Sequence, residues 1–151
     1  MNAPSQSLVK SLFMGGIPEE LAFPFPVMDA DEADMVKIIN ENLHRWADDN
    51  FDAVAADVAA EYPEGTLEAL GELGLMGLNI PDQYGGLELS TAGYAKVYEQ
   101  IAAIDGSLPV TIGAHASIGL KGLLLYGTPE QKQKYLPDLA SGKKIAAYAL
   151  T

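Results

Sequence analysis

Apolar residues recur at helical spacing through most of this 151-residue chain. In DADEADMVKIINENLHRWADDN, Met35, Ile38, Ile39, Leu43 and Trp46 fall on the i, i+3, i+4, i+8 and i+11 positions of one face. Acidic residues crowd the first turn of that segment, where they meet the positive end of the helix dipole. FDAVAADVAAEYP predicts an alanine-rich, weakly amphipathic helix stopped by Pro63, and TLEALGELG a short one. The short helix turns Leu67, Leu70 and Leu73 inward between a Thr66 cap and a Gly74 terminator. LMGLNIPDQYGGLELS breaks the period with a short extended piece and a tight structural turn at PDQYGG. STAGYAKVYEQIAAIDG resumes it, capped by Ser90, with Tyr94, Val97, Ile101 and Ile104 on one face and an end near Gly106.

A further helix starts around Ser107 and contains TIGAHASIGLKGLLLYG. Thr128 as cap, Pro129 at the first helical position and Gln131 at the reciprocal capping position start the last helix, which Pro137 is expected to limit to about two turns. In KKIAAYALT, Ile145, Ala147 and Ala149 alternate against Ala146, Tyr148 and Leu150, a β-like period with no second strand to pair with. Residues 1–30 hold apolar clusters broken by a glycine pair and by Pro18, Pro24 and Pro26, the pattern of an arm. The pattern therefore predicts an all-α domain over 31–143, between that arm and a strand at 144–151 that opens another unit.

Composition narrows the classes. The length suits one core. No apolar run is expected to reach the roughly 18 residues of a membrane span, because Lys121 and several glycines interrupt the longest candidate. MNAPSQSLVK has the layout of neither a secretory signal nor an Arg-rich presequence, so a cytoplasmic location is expected. Zero cysteines exclude disulfides, thiolate metal sites and a cysteine nucleophile. The net charge of −12 comes entirely from residues 1–75, which carry 3 basic and 15 acidic side chains. Nucleic acid and anionic membrane surfaces are set aside as main partners on that ground.

Reactive chemistry is sparse. His44 and His115 are too few and too far apart for a metal cluster; His44 is expected on the surface and His115 as a satisfied core histidine. Carboxylate pairs in apolar settings and phosphate-binding loops are lacking, and GELGLMG reads as a helix end. The glycines are the unusual feature. Gly113, Gly119 and Gly122 cost their helix about 3 kcal/mol of intrinsic propensity, and with Ala116 they form a low ridge. Close helix packing and a ligand lying along the helix both explain such a ridge.

LGELGLMGLNIPDQYGGLELS, the stretch IAAIDGSLPVTIGAHASIGLKGLLLYGTPEQKQKYLPDLASGKKIAAYALT and the LAFPFP arm together resemble the N-terminal region of the flavin-dependent acyl-CoA dehydrogenases, most closely the very-long-chain branch. The resemblance implies an N-terminal helical domain of that type, ending in the first strand of a middle β-barrel domain. It also implies FAD as cofactor, fatty acyl-CoA as substrate, an electron-transfer flavoprotein as acceptor and a homodimer or homotetramer. Tyr148, Leu150 and Thr151 would contact the flavin, and Val110, Gly113, Ala114 and Ser117 would wall a long acyl pocket. Pro109 stands where a smaller residue is expected in very-long-chain relatives and would shorten or redirect the pocket floor. Gly119 and Gly122 are assigned to helix packing. The family's catalytic glutamate lies in a C-terminal domain, so no catalytic residue is assigned in this chain. An oxidase of the same kind that passes electrons to oxygen, and a non-enzymatic acyl-binding or interaction module, share these features.

Overall fold

A computed structural model describes residues 7–25 and 27–149. Its α-helices are α1 (Leu8–Phe13), α2 (Glu19–Ala22), α3 (Ala30–Asn50), α4 (Ala53–Ala59), α5 (Thr66–Glu72), α6 (Thr91–Ile104), α7 (Leu108–Ala114), α8 (Lys121–Tyr126) and α9 (Pro129–Ala140). Tight 3-10 turns lie at Leu75–Gly77 and Asp82–Tyr84, and a π turn at His115–Gly119 joins α7 to α8. No strand forms among the described residues, and the fold is all-α as expected.

Local chemistry starts most of the longer helices as read. The side chains of Asp29, Ser90 and Thr128 cap α3, α6 and α9 by accepting from Glu32, Gly93 and Gln131 N–H groups, and Thr128 and Gln131 close a reciprocal capping box. Thr66, however, is the first residue of α5 and not its cap. Gly65, at φ 83°, precedes it, and the Thr66 hydroxyl donates to the Pro63 carbonyl at 2.7 Å. Gly74 ends the segment at φ 78°, a conformation that favours glycine.

Packing revises the α3 face. Val36, Ile39, Leu43 and Ala47 are buried against α6, Trp46 is half-buried, and Met35 and Ile38 point outward. The apolar arc of α3 is wider than a single partner helix covers. The extended piece before Pro81 is also replaced: residues 77–80 fold back on 87–89 through Leu87 N–H to Gly77 O (2.9 Å) and Leu89 N–H to Leu78 O (2.8 Å).

Pro137 does not stop α9, which continues to Ala140. A proline in the interior removes one helix bond, and burial of Leu136, Leu139 and Ala140 on both sides of it holds the last turn together. Residues 145–149 form neither helix nor strand, since an alternating segment without a neighbouring edge has nothing to ladder with.

The helical run Leu108–Tyr126 corrects the expectation about membrane-length segments: its 19 residues, at mean hydropathy 1.4, are long and apolar enough to cross a bilayer by length and composition. Here Leu108, Ile112 and Leu120 are fully buried in the protein interior. The arm carries no buried residue in α1 or α2 and leaves Val9, Phe13, Met14 and Ile17 exposed.

Two apolar clusters result. The larger gathers Leu43 of α3, Leu70 of α5, Met76, Val97 and Ile101 of α6, and Ile112 of α7. The smaller gathers Ile80, Leu120, and Leu136, Leu139 and Ala140 of α9.

Candidate functional site: a cleft between α6 and the π turn

α6 and α7 pack as a hairpin joined at Asp105–Ser107. The Asp105 carboxylate accepts from Ser107 N–H (2.8 Å), the Ser107 hydroxyl and Leu108 N–H (3.2 Å). These bonds, the Ser107 hydroxyl foremost, hold its pKa below the usual carboxylate range. At the other end of α6, the Glu32 carboxylate of α3 accepts from Ser90 N–H (2.6 Å) and from the Ser90 hydroxyl (2.9 Å). Gly93 lies so close to that carboxylate that a Cβ would collide with it.

The π turn turns on His115. Its fully buried ring donates from Nε2 to the Met76 carbonyl (3.2 Å) and accepts at Nδ1 from Ala146 N–H (2.9 Å), which assigns the proton to Nε2. Burial pushes its pKa below the ordinary 6.5, outweighing the carbonyls of Met76 and Leu139, which favour the charged ring. The satisfied core histidine expected from sequence is found. It ties the π turn both to the larger cluster and to the segment after Lys144.

Between α6 and this turn lies a cleft of about 450 Å³, lined by Asn79, Leu89, Thr91, Tyr94, Ala116, Ser117, Ile118 and Lys121. Asn79 Nδ2 donates to the Ala116 carbonyl (3.3 Å), while its buried Oδ1 has no partner among the described residues. The Tyr94 phenol is pushed up to about 12 by burial and by Tyr98, so it stays neutral. Tyr94 stacks on Tyr98, with ring centroids 5.2 Å apart, and the Tyr98 hydroxyl donates to the Pro109 carbonyl.

Of the residues proposed to wall an acyl pocket, Ser117 lines this cleft and donates to the Gly113 carbonyl at 2.5 Å. Gly113 and Ala114 lie about one helical turn away, half-buried, and Val110 points outward at 69% exposure. Of the residues expected to contact a flavin, Tyr148 is 62% exposed; Leu150 and Thr151 lie outside the described residues.

Each ridge glycine has its own surroundings. The space a Gly113 Cβ would take holds the Tyr98 hydroxyl, and that of Gly119 holds the Ala146 carbonyl oxygen, 2.6 Å away. Gly122 faces open space. Packing at Gly119 is therefore against the 145–149 segment and not against a helix, and helix packing does not account for Gly122. His44 is likewise half-buried at the α3–α6 joint, 2.9 Å from Gln100 Oε1, and not a free surface residue. Sequence reasoning missed Asn79 and Tyr98. The i, i+4 spacing of Tyr94 and Tyr98 was the available signal for the second.

An all-α domain with a small cleft of mixed polar and apolar lining beside a helix hairpin is the class of protein this geometry defines. The family model described as "Acyl-CoA dehydrogenase, N-terminal domain" matches residues 34–143, and the chain belongs to the acyl-CoA dehydrogenase family. It is 39% identical over 150 residues to the mitochondrial very long-chain specific acyl-CoA dehydrogenase of Macaca fascicularis, covering 99% of this chain and 23% of that protein. It is 39% identical over 147 residues to the probable acyl-CoA dehydrogenase FadE10 of Mycobacterium bovis, covering 96% and 22%. The chain thus spans about a quarter of the length of the curated relatives it matches. Among solved structures, an acyl-CoA dehydrogenase complexed with FAD from Bacillus anthracis is similar at 34% identity and TM-score 0.58, covering 82% of this chain and 21% of that one. A chain from work on the electron transferring flavoprotein of Acidaminococcus fermentans is similar at 26% identity and TM-score 0.67, covering 82% and 32%.

Proposed function

We propose that this chain is the N-terminal part of an FAD-dependent acyl-CoA dehydrogenase that oxidises long-chain fatty acyl-CoA to the trans-2-enoyl-CoA. The cleft between Tyr94 and Ser117 is the observation that carries the reading, because it gives an acyl chain a wall of Leu89, Ala116 and Ile118 from which water is displaced. The neutral Tyr94 phenol and the Ser117 hydroxyl add polar atoms without placing a charge beside that chain. Lys121, exposed, supplies a cation to the same cleft, suited to an anionic part of the ligand.

The exposed aromatic ring of Tyr148, on a segment that His115 anchors at Ala146, supports a flavin lying against the residues after Lys144. When bound, FAD supplies the acceptor for the hydride that leaves the β-carbon. Tyr148, Leu150 and Thr151 would hold it, while Val110, Gly113, Ala114 and Ser117 belong to the acyl wall in this reading. The name of the Bacillus anthracis structure, which includes FAD, supports the cofactor. The Acidaminococcus fermentans work supports an electron-transfer flavoprotein as acceptor. A homodimer or homotetramer and a cytoplasmic location complete the reading.

The test is a visible absorption spectrum of the full-length gene product before and after a long-chain acyl-CoA is added without oxygen. A flavin band that bleaches is the expected result. A colourless protein that resists FAD reconstitution would overturn the reading in favour of a non-enzymatic binding module, and rapid reoxidation of the bleached flavin by oxygen would turn it toward an oxidase.

A further inference from the structure

We infer that the π turn at His115–Gly119 is a two-faced positioning element: one face walls the cleft, while His115 and Gly119 on the other fix the segment that carries Tyr148, so that acyl chain and flavin are held in one register. This rests on the reading of the cleft as an acyl site and of the residues after Lys144 as part of a flavin site. Ala116, Ser117 and Ile118 line the cleft. The two residues at the ends of the turn grip Ala146 instead. The Ala146 N–H donates to His115 Nδ1 at 2.9 Å, and a Cβ on Gly119 would stand only 2.6 Å from the Ala146 carbonyl oxygen. The turn is closed by Leu120 N–H donating to the His115 carbonyl at 3.0 Å, the wide bond of a single-turn π bulge.

The grip falls on the one point where an otherwise exposed segment meets the domain. Of residues 145–149, Ala146 alone is not exposed, and it packs on the smaller apolar cluster. Just upstream, Lys144 is tied to Asp138 by its N–H to the carbonyl (2.9 Å) and by its ammonium to the carboxylate (2.6 Å). Tyr148 follows Ala146 by at most about 7 Å of extended chain, so the position of Ala146 sets where that ring stands. Nδ1 accepts only while it lacks a proton, and burial favours that neutral form. Donation from Nε2 to the Met76 carbonyl (3.2 Å) holds the tautomer. Misplacing a reacting partner by about 1 Å can cost about a hundredfold in rate, so this grip bears on turnover more than on substrate binding.

The experiment uses the flavin-loaded full-length protein. It measures the FAD dissociation constant by flavin fluorescence, the visible circular dichroism of the bound flavin, and KM beside kcat for a long-chain acyl-CoA. His115→Gln keeps an amide N–H near Nε2 for Met76 and removes the acceptor at Nδ1, whereas His115→Asn keeps an acceptor near Nδ1 for Ala146 and removes the donor to Met76. In His115→Gln the FAD dissociation constant should rise about three- to tenfold, the net worth of one hydrogen bond, with the dichroism altered and kcat lowered at constant KM. His115→Asn should recover most of that affinity. Should the histidine variants fail to fold, Gly119→Ala decides the matter: it displaces the Ala146 carbonyl without touching His115, the exposed segment can move to accept it, and FAD affinity should fall as in His115→Gln. Asn and Gln variants that lose FAD equally, or folded variants with unchanged affinity and dichroism while the wild-type flavin still bleaches, overturn the positioning role alone. A wild-type protein that takes up no FAD overturns the flavin reading, and the positioning role with it.

Discussion

The larger core draws Leu43, Leu70 and Ile101 from three helices far apart in sequence, whereas the smaller one is closed by the turn at Ile80 and by α8 and α9. In the larger, side chains fill the space between helix axes. At the seam with the smaller one, backbone approaches backbone. A Cβ on Gly71 would strike the Ser141 carbonyl just beyond α9, one on Gly77 would come within 3.1 Å of the Ala140 carbonyl oxygen, and one on Gly86 would overlap the Ile80 backbone. The larger core thus depends on side-chain volume, and the seam on the absence of it. His115 stands between the two, bonded to Met76 of the larger cluster and to Ala146, which packs on the smaller.

The contrast can be broken most strongly at Ile101, which is fully buried between α3 and the rest of the larger core. Ile101→Ala should cost ~2–5 kcal/mol through lost transfer energy and an unfilled cavity. Urea unfolding measures this, and a loss below about 1 kcal/mol would show that α3 and α6 do not depend on side-chain volume at this point.

Gly71→Ala should come next, at ~1–3 kcal/mol, because its one added carbon meets backbone that cannot rotate away. Unchanged stability in this variant would remove the backbone seam from the description. Gly122 is the internal control. It lies within α8 with nothing near it, so Gly122→Ala should stabilise by ~0.4–1 kcal/mol, the smallest effect of the set and opposite in sign.

The seam histidine adds a pH dependence whose size lies outside this ranking. The folded-state pKa of His115 is depressed below 6.5, so in that window the unfolded chain binds more protons than the folded one. Its contribution is fully present above about pH 6.5 and is lost as the pH falls toward the lowered value. Urea midpoints at about pH 7.5 and about pH 5.5 should therefore differ more for the wild type than for His115→Gln, which removes the titration. Equal differences would overturn the assignment of this dependence to His115, because Asp105 and Asp138, whose carboxyls are held below the usual range, stay ionised at both pH values.

How legible the site was depended on the kind of information each residue carried. Ser117 was identifiable through the resemblance, and His115 as a core residue from its alanine-rich surroundings. Tyr98 was not, because it lies beside the Tyr94–Val97–Ile101 stripe and only the packing of α6 on α7 brings its hydroxyl against Gly113. The glycines teach the same lesson. Those that drew attention by sitting inside a helix include Gly122, which touches nothing, while Gly71, in a stretch read as a helix end, holds one of the tightest approaches.

By itself, the sequence determined the all-α class, the start points of α3, α6 and α9, and the family. These follow from local rules of capping, period and motif that act within a few residues of chain. Only the tertiary structure decided which arc of α3 is buried, that α9 continues through Pro137, and what stands against each glycine. Those outcomes depend on atoms that packing brings together from other segments, such as Tyr62 bonded to Thr111 and Ala146 bonded to His115. Packing free energy summed over such contacts exceeds the cost of one missing helix bond or a single local preference.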